Sequence, residues 1–371
     1  MTSELSSLCS YAKGKVSVDT LSKRNYVSTE NMMPNKGGIV DAGALPSAQY
    51  TQQYIKDDIL VSNIRPYFKK IWMADDDGGC SNDVLVFRAD RGCDSTFLYY
   101  ILANDAFFNY ASATSKGTKM PRGDKTAIMQ YKVPCFNYET QLRIGKLLRS
   151  IDDRIAVNKK INDNLQQQAE TLFKAWFTDF DPFDNIKPNS WEVYTLGEVT
   201  EIGAGGDKPK NTSKTKSAEC PYPVYSNGLD NEGLYGYTDK AKIFDESVTV
   251  SARGTIGFVC LRHLPYVPIV RLITLIPKEG ILSAKYLYLY LKQLHISGTG
   301  TTQQQLTVPD FRKTEILIPD NATMTNFTKV VTPIFSKIWA NEDENKQLAL
   351  IRDTLLPKLM SGEIDVSGIQ L

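Results

Sequence analysis

The sequence runs to 371 residues, enough for two or three domains with sizeable cores, and its 42% hydrophobic and 23% charged content is ordinary for a soluble protein. No apolar run approaches the roughly 18 residues needed to cross a bilayer, and Met1 to Lys15 lacks the basic-then-apolar order of a signal peptide, so no membrane association and a cytoplasmic location are expected. A net charge of +1 excludes a protein coated in positive charge; any nucleic-acid surface must be local or shared with partners.

In chain order, residues 1–136 read as a small mixed α/β domain. Ile59-Leu60-Val61-Ser62 and Val84 to Phe87 are β-branched or apolar runs of strand length, and Arg65 soon follows the first. Phe97 to Leu102 reads as a short buried helix, Gly117-Thr118 as a loop, and Val133-Pro134 as an apolar strand leading out of the domain. Residues 137–180 form a long helix. Within it Ile144, Leu148, Ile151, Ile155, Asn158, Asn162, Leu165, Ala169, Leu172 and Trp176 alternate steps of four and three, the spacing of a coiled-coil seam. Residues 181–190, with Pro182 and Pro188, break the helix and link it onward.

Residues 191–319 then repeat the first domain loosely. Val248-Thr249-Val250-Ser251 precedes Arg253, Tyr286 to Leu291 is the second buried helix, Gly298-Thr299-Gly300-Thr301 the second loop, and Ile318-Pro319 the second exit strand. Ile269 to Ile276 is a further strand-like run. The tyrosines Tyr99, Tyr100, Tyr286 and Tyr288 recur inside apolar stretches and read as core. Residues 320–362 form the second long helix, followed by a tail at 363–371. Its seam of Phe327, Val331, Ile334, Ile338, Asn341, Asn345, Leu348, Arg352, Leu355 and Leu359 matches the first at a constant 183 residues, the distance from Ile155 to Ile338.

This duplication predicts the fold class: mixed α/β (α+β), two globular domains separated by two long helices in an antiparallel coiled coil with an internal pseudo-twofold repeat. Asn158 is then expected to meet Asn345, and Asn162 to meet Asn341. Buried amides in a seam lower stability but fix register, since a slipped pairing leaves them unsatisfied.

Catalytic chemistry is not apparent. The six cysteines are scattered without a C-x-x-C pair, and only His263 and His295 could assist them, so no metal site is expected. There is no G-x-x-x-x-G-K-[ST] loop for a nucleoside triphosphate and no Asn-Pro-Pro-aromatic strand end to grip a flipped adenine. Pro309-Asp310 lacks the acid and lysine that a metal-dependent nuclease carries on its following strand.

Three segments are family-like. They are Leu172-Phe173-Lys174-Ala175-Trp176-Phe177 running into Asp179-Phe180-Asp181-Pro182-Phe183, the domain opening Trp191-Glu192-Val193-Tyr194-Thr195-Leu196-Gly197-Glu198-Val199, and the ending Leu355-Leu356-Pro357-Lys358-Leu359-Met360-Ser361-Gly362-Glu363-Ile364. With these in order along nearly its whole length, the chain resembles the specificity subunits of type I restriction-modification systems. The resemblance implies a non-catalytic, DNA-binding chain in which each domain reads one part of an asymmetric two-part site of double-stranded DNA and the helices set the gap. It further implies docking of two methyltransferase subunits and, through them, restriction-translocase subunits. S-adenosylmethionine, ATP and magnesium would then sit on those partners, with no cofactor on this chain. The alternatives are a structural coiled-coil adaptor and a DNA-binding protein acting outside a restriction system. One departure is that Leu5 to Leu8 resembles Leu196 to Val199 without a preceding Trp-Glu strand, so the first domain is expected to be trimmed or to borrow its edge strand.

Cations for phosphates and amides or hydroxyls for base edges supply the DNA-binding candidates. In the first half these are Lys116, Lys119, Arg122 and Lys125 on a glycine-containing loop, flanked by Arg65, Lys69 and Lys70. In the second half they are Lys208, Lys210 and Lys214 in a basic loop, Arg253 at the repeated strand end, and Thr299, Thr301, Gln303, Gln304 and Gln305.

Overall fold

The computed structural model describes residues 2–298 and 305–368. The chain forms two compact units, one built from residues up to Asn158 together with those from Glu342 onward, the other from Lys159–Asn341.

The first unit is organised around an antiparallel sheet in the order Cys9–Tyr11, Val84–Ala89, Ile59–Ser62, Ile71–Met73. Ile59, Val61, Ile71, Leu85 and Phe87 pack with the helices Ser95–Ala103 and Asp105–Ala113. Leu60, Val84 and Val86 face the other way, onto Val27, Met32, Tyr54 and Cys80. Burial on both faces explains why Ile59 to Val61 is an unbroken apolar run rather than an alternating one. A second sheet orders Lys15–Ser17, Tyr50–Tyr54, Gly78–Cys80 and Tyr26–Val27. Glycine is required at Gly78, where a Cβ would lie 2.3 Å from the Asn25 carbonyl oxygen.

The edge strand expected to be missing is present: Thr2–Glu4 pairs antiparallel with Lys132–Pro134. It was not recognisable because only three residues pair and no tryptophan precedes them. The second unit has the same pairing between Glu192–Thr195 and Glu315–Ile318, and an equivalent sheet of Thr200–Ala204, Ile273–Pro277, Ser247–Val250 and Val259–Arg262. At the linker, Phe180 and Phe183 both lie against the Trp191 ring.

The long helices span Tyr138–Phe177 and Asn321–Ser361, and each contributes to both units. In the first unit Asn158 Nδ2 donates to Asn345 Oδ1 at 3.0 Å and Arg352 donates to Asp152 at 2.6 Å, so rising numbers on one helix meet falling numbers on the other. In the second unit Asn341 Nδ2 donates to Asn162 Oδ1 at 2.8 Å, and Phe173 meets Phe327 with ring centroids 5.9 Å apart. The helix segments are antiparallel within each unit. The internal repeat reaches single atoms. Asn158 and Asn341 are the buried members of the two pairs, at 0% and 1% exposure, and each keeps an Oδ1 with no hydrogen-bond partner among the described residues.

Near its C-terminal end the buried face of the first helix is wider than the two-position seam. Phe173 and Phe177 are more buried there than Leu172 and Trp176, because the second unit's helix Ala284–Gln293 covers a third position through Tyr286. The seam amides predict a stability trade. Replacing Asn162 and Asn341 together by leucine is expected to stabilise the second unit by about 1–2 kcal/mol, read as a higher Tm, because a buried amide with an unpartnered Oδ1 and its part-buried partner are exchanged for apolar contact. A lower Tm would contradict this account of the seam. Among the described residues no helix is long and apolar enough to cross a membrane, and no cluster of three metal-ligating side chains occurs.

Candidate nucleic-acid interface

In the first unit three loops converge where the strand Ile59–Ser62 ends. The chain continues through Arg65 into a single turn, Pro66–Phe68, and out through Lys69; both flanking residues are left-handed, with φ of 50° and 52°. Such backbone costs on the order of 1 kcal/mol per residue and persists only where neighbours impose it. Here Asn35 N donates to the Phe68 carbonyl and Lys36 N to the Lys69 carbonyl, both at 2.8 Å, and Asn35 and Lys36 are themselves left-handed. The third loop is a hairpin closed by reciprocal bonds between Lys116 and Arg122 at 2.8 and 2.9 Å, with Gly117 at a φ of 94°. It docks through Arg65 N to the Pro121 carbonyl at 2.8 Å and Gly123 N to the Asn63 carbonyl at 3.1 Å. Beneath it Asn63 Oδ1 and Arg65 Nε are buried without hydrogen-bond partners among the described residues.

Six of the first-half candidates, Arg65, Lys69, Lys70, Lys116, Lys119 and Arg122, therefore lie on contiguous loops. Lys125 is placed otherwise: its ammonium lies 6.0 Å from the Tyr11 ring centroid, and it lines a cleft of about 350 Å³ with Lys15, Tyr50, Gln52 and Asn82. Several of these cations are already engaged. Lys69 and Lys36 share Asp105 at 2.7 and 2.8 Å, Arg122 meets Asp83 at 3.0 Å, and Lys116 meets Asp124 at 2.5 Å. Burial alone would raise the Asp105 pKa, yet the bonds from Lys36 and Lys69 hold it below the ordinary carboxylate value. Lys70 donates to the Thr29 carbonyl at 2.6 Å, and burial pushes its pKa down. Lys119 is exposed at the hairpin.

The second unit repeats one bond of the clasp. Leu306 N donates to the Ala252 carbonyl at 3.0 Å, just after Ser247–Val250, as Gly123 N does to Asn63. In this register Arg253 is equivalent to Ile64, so the two arginines flagged at the strand ends, Arg65 and Arg253, are offset by one residue. Arg253 Nη2 donates to Gln305 Oε1 at 3.0 Å. Thr299, Thr301, Gln303 and Gln304 lie outside the described residues.

With this repeated scaffold in view, the family model for the type I restriction modification DNA specificity domain matches residues 1–167 and again 188–349. The chain belongs to this family. It is a specificity subunit of a type I restriction-modification system. It is 28% identical over 316 residues to the type I restriction enzyme MjaIX specificity subunit of Methanocaldococcus jannaschii, covering 75% of this chain and 71% of that one. It is 26% identical over 434 aligned positions to the HindI specificity subunit of Haemophilus influenzae, covering 91% and 94%. The crystal structure of the type I restriction-modification S subunit from M. genitalium superimposes with a TM-score of 0.61 over 97% of this chain and 96% of that one, at 18% identity, which establishes the shared fold.

The two matched segments of this specificity subunit carry different side chains on the shared scaffold. In the second unit Lys208 and Lys214 flank the half-exposed Tyr235, with ammonium-to-centroid distances of 5.2 and 4.4 Å. The Lys208 interaction draws the Tyr235 pKa below the ordinary phenol value. Lys210 is exposed beside them. Tyr235, Lys36, Tyr67 and Phe68 were not singled out from the sequence. The Asn35-Lys36-Gly37-Gly38 turn was a usable signal for Lys36, whereas Tyr235 sits in an ordinary-looking strand, Leu234–Thr238.

Proposed function

We propose that this specificity subunit reads a bipartite, asymmetric duplex DNA target, one part with each unit, and has no catalytic activity of its own. The observation that carries the reading is the repeated clasp bond at equivalent strand ends. These ends present Arg65, Lys69 and Arg122 in the first unit but Arg253 and Gln305 in the second. Equivalent strand ends with unequal side chains suit two unequal half-sites, with lysines on phosphates and arginine or glutamine on base edges. The long helices are proposed to set the gap and to dock two methyltransferase subunits, which in turn recruit the restriction-translocase subunits. S-adenosylmethionine, ATP and magnesium are assigned to those partners.

Methylation mapping in a host that expresses the chain with its partners tests the reading. A two-part methylated motif is expected. Inserting one heptad into the first long helix within Lys159 to Gln168, with a matching heptad beside Asn341 in the second, preserves the seam and adds about 10 Å of helix. The mapped motif should keep both parts and acquire a longer gap; an unchanged gap removes the helices from that role.

A further inference from the structure

Tyr67 and Phe68 are not accounted for by packing. They are 52% and 39% exposed, on a turn whose shape is imposed from both sides by left-handed residues and by bonds to two other loops. Their rings lie against each other with centroids 4.8 Å apart. The exposed Met33 and Met120 come from the two adjoining loops, so the surface has an apolar tip.

Around that tip the charge is chiefly positive. Lys36 and Lys69 share one carboxylate, the Lys70 ammonium lies 6.0 Å from the Phe68 centroid, and Lys119 is exposed on the hairpin. A rigid apolar tip ringed by cations complements a polyanion with an apolar interior, and stacked duplex bases between two rows of phosphates are such a partner. Among the described residues the second unit has no counterpart at the equivalent turn. By the clasp register Tyr67 and Phe68 correspond to Ile256 and Gly257, and Ile256 is packed against that unit's core.

We propose that Tyr67 and Phe68 form an aromatic wedge that enters a base step of duplex DNA and unstacks it, in the half-site read by the first unit only. This rests on the DNA-reading function proposed above. Because the turn is held by its neighbours before DNA arrives, binding does not have to order it. The wedge would make that half-site sensitive to how readily its base step deforms, a form of recognition distinct from base-edge contacts.

The test uses the assembled complex with its methyltransferase subunits and duplexes carrying 2-aminopurine, placed in turn through both parts of the mapped target. One step should brighten with the wild-type complex and stay dark with Tyr67→Ala/Phe68→Ala, whose binding should weaken roughly tenfold. A base swung out by a methyltransferase stays bright with both proteins, which separates it from the wedge. Tyr67→Ser, a milder change at the more exposed ring, should give an intermediate loss, with an unchanged thermal melt confirming the fold. Equal brightening in wild type and double variant overturns the wedge, as does the absence of any unstacked step beyond the swung-out base. A complex with no sequence preference at all overturns the wedge and the DNA-reading proposal together, so the two failures are distinguishable.

Discussion

Asp152→Ala is expected to destabilise the first unit by about 3 kcal/mol, read as a lower denaturant midpoint at unchanged slope. Asp152 accepts from Tyr100 Oη and from Arg352 Nη1, both at 2.6 Å, tying a domain helix and both long helices to one carboxylate. Arg352 occupies the seam position that the first helix gives to Ala169, which is fully buried. A guanidinium is tolerated there because burial, which would lower its pKa, is outweighed by Asp152 together with the adjacent Asp353; the net shift is upward. Removing the carboxylate leaves the Tyr100 phenol without its acceptor and the Arg352 guanidinium with Asp353 alone, which it reaches at 2.8 and 2.9 Å. Side-chain exposures of 27% for Asp152 and 24% for Arg352 place the cost at the low end of the range for broken buried pairs. Replacing Asp152 and Arg352 together by leucine, with Tyr100→Phe, should recover most of the loss. If Asp152→Ala costs less than about 1 kcal/mol, solvent and Asp353 must supply the missing bonds and the triad does not fix this seam.

Arg253→Ala is expected to weaken target binding by the assembled complex by about 1–3 kcal/mol, between fivefold and 150-fold. Arg253 is exposed and, among the described residues, bonds to the neutral amide of Gln305, so little is lost when the guanidinium turns to DNA. Arg122→Ala should cost less. Arg122 donates from Nε and Nη2 to Asp83 Oδ1 at 3.3 and 3.0 Å and must leave a carboxylate to reach an anion. Asp83→Asn should therefore tighten binding a few-fold at low salt and less at high salt. Anisotropy titrations at two salt concentrations measure all three. Unchanged binding by Arg253→Ala would take that residue out of the interface.

The architecture was legible because it is written twice. A seam position proposed from one helix could be checked against the other, down to Asn158 and Asn341. Legibility fell where tertiary context decides. Thr2–Glu4 carries no strand signal of its own and becomes an edge strand only beside Lys132–Pro134. Phe173 and Phe177 exceed their seam neighbours in burial because another helix covers them. Tyr67 and Phe68 follow a proline beside strand residues and resemble core; only the neighbouring loops hold them outward. The engagement of Arg122 and Lys69 was hidden for a related reason, since Asp83 and Asp105 lie 39 and 36 residues away.

The way the two units share the long helices also bears on how the protein is made. The second unit is one continuous stretch, Lys159–Asn341, whereas the first needs residues from both sides of it. On the ribosome the earliest-synthesised portion must wait for its partner helix until the whole intervening unit has been translated, roughly ten to forty seconds at typical elongation rates. During that interval Ile144 and Leu148 lack Leu356 and Leu359, with which they share a core. A nonsense mutation within the second long helix after Asn341 would thus harm the unit made first and spare the unit made second, and holdase chaperones would be most needed before that helix emerges.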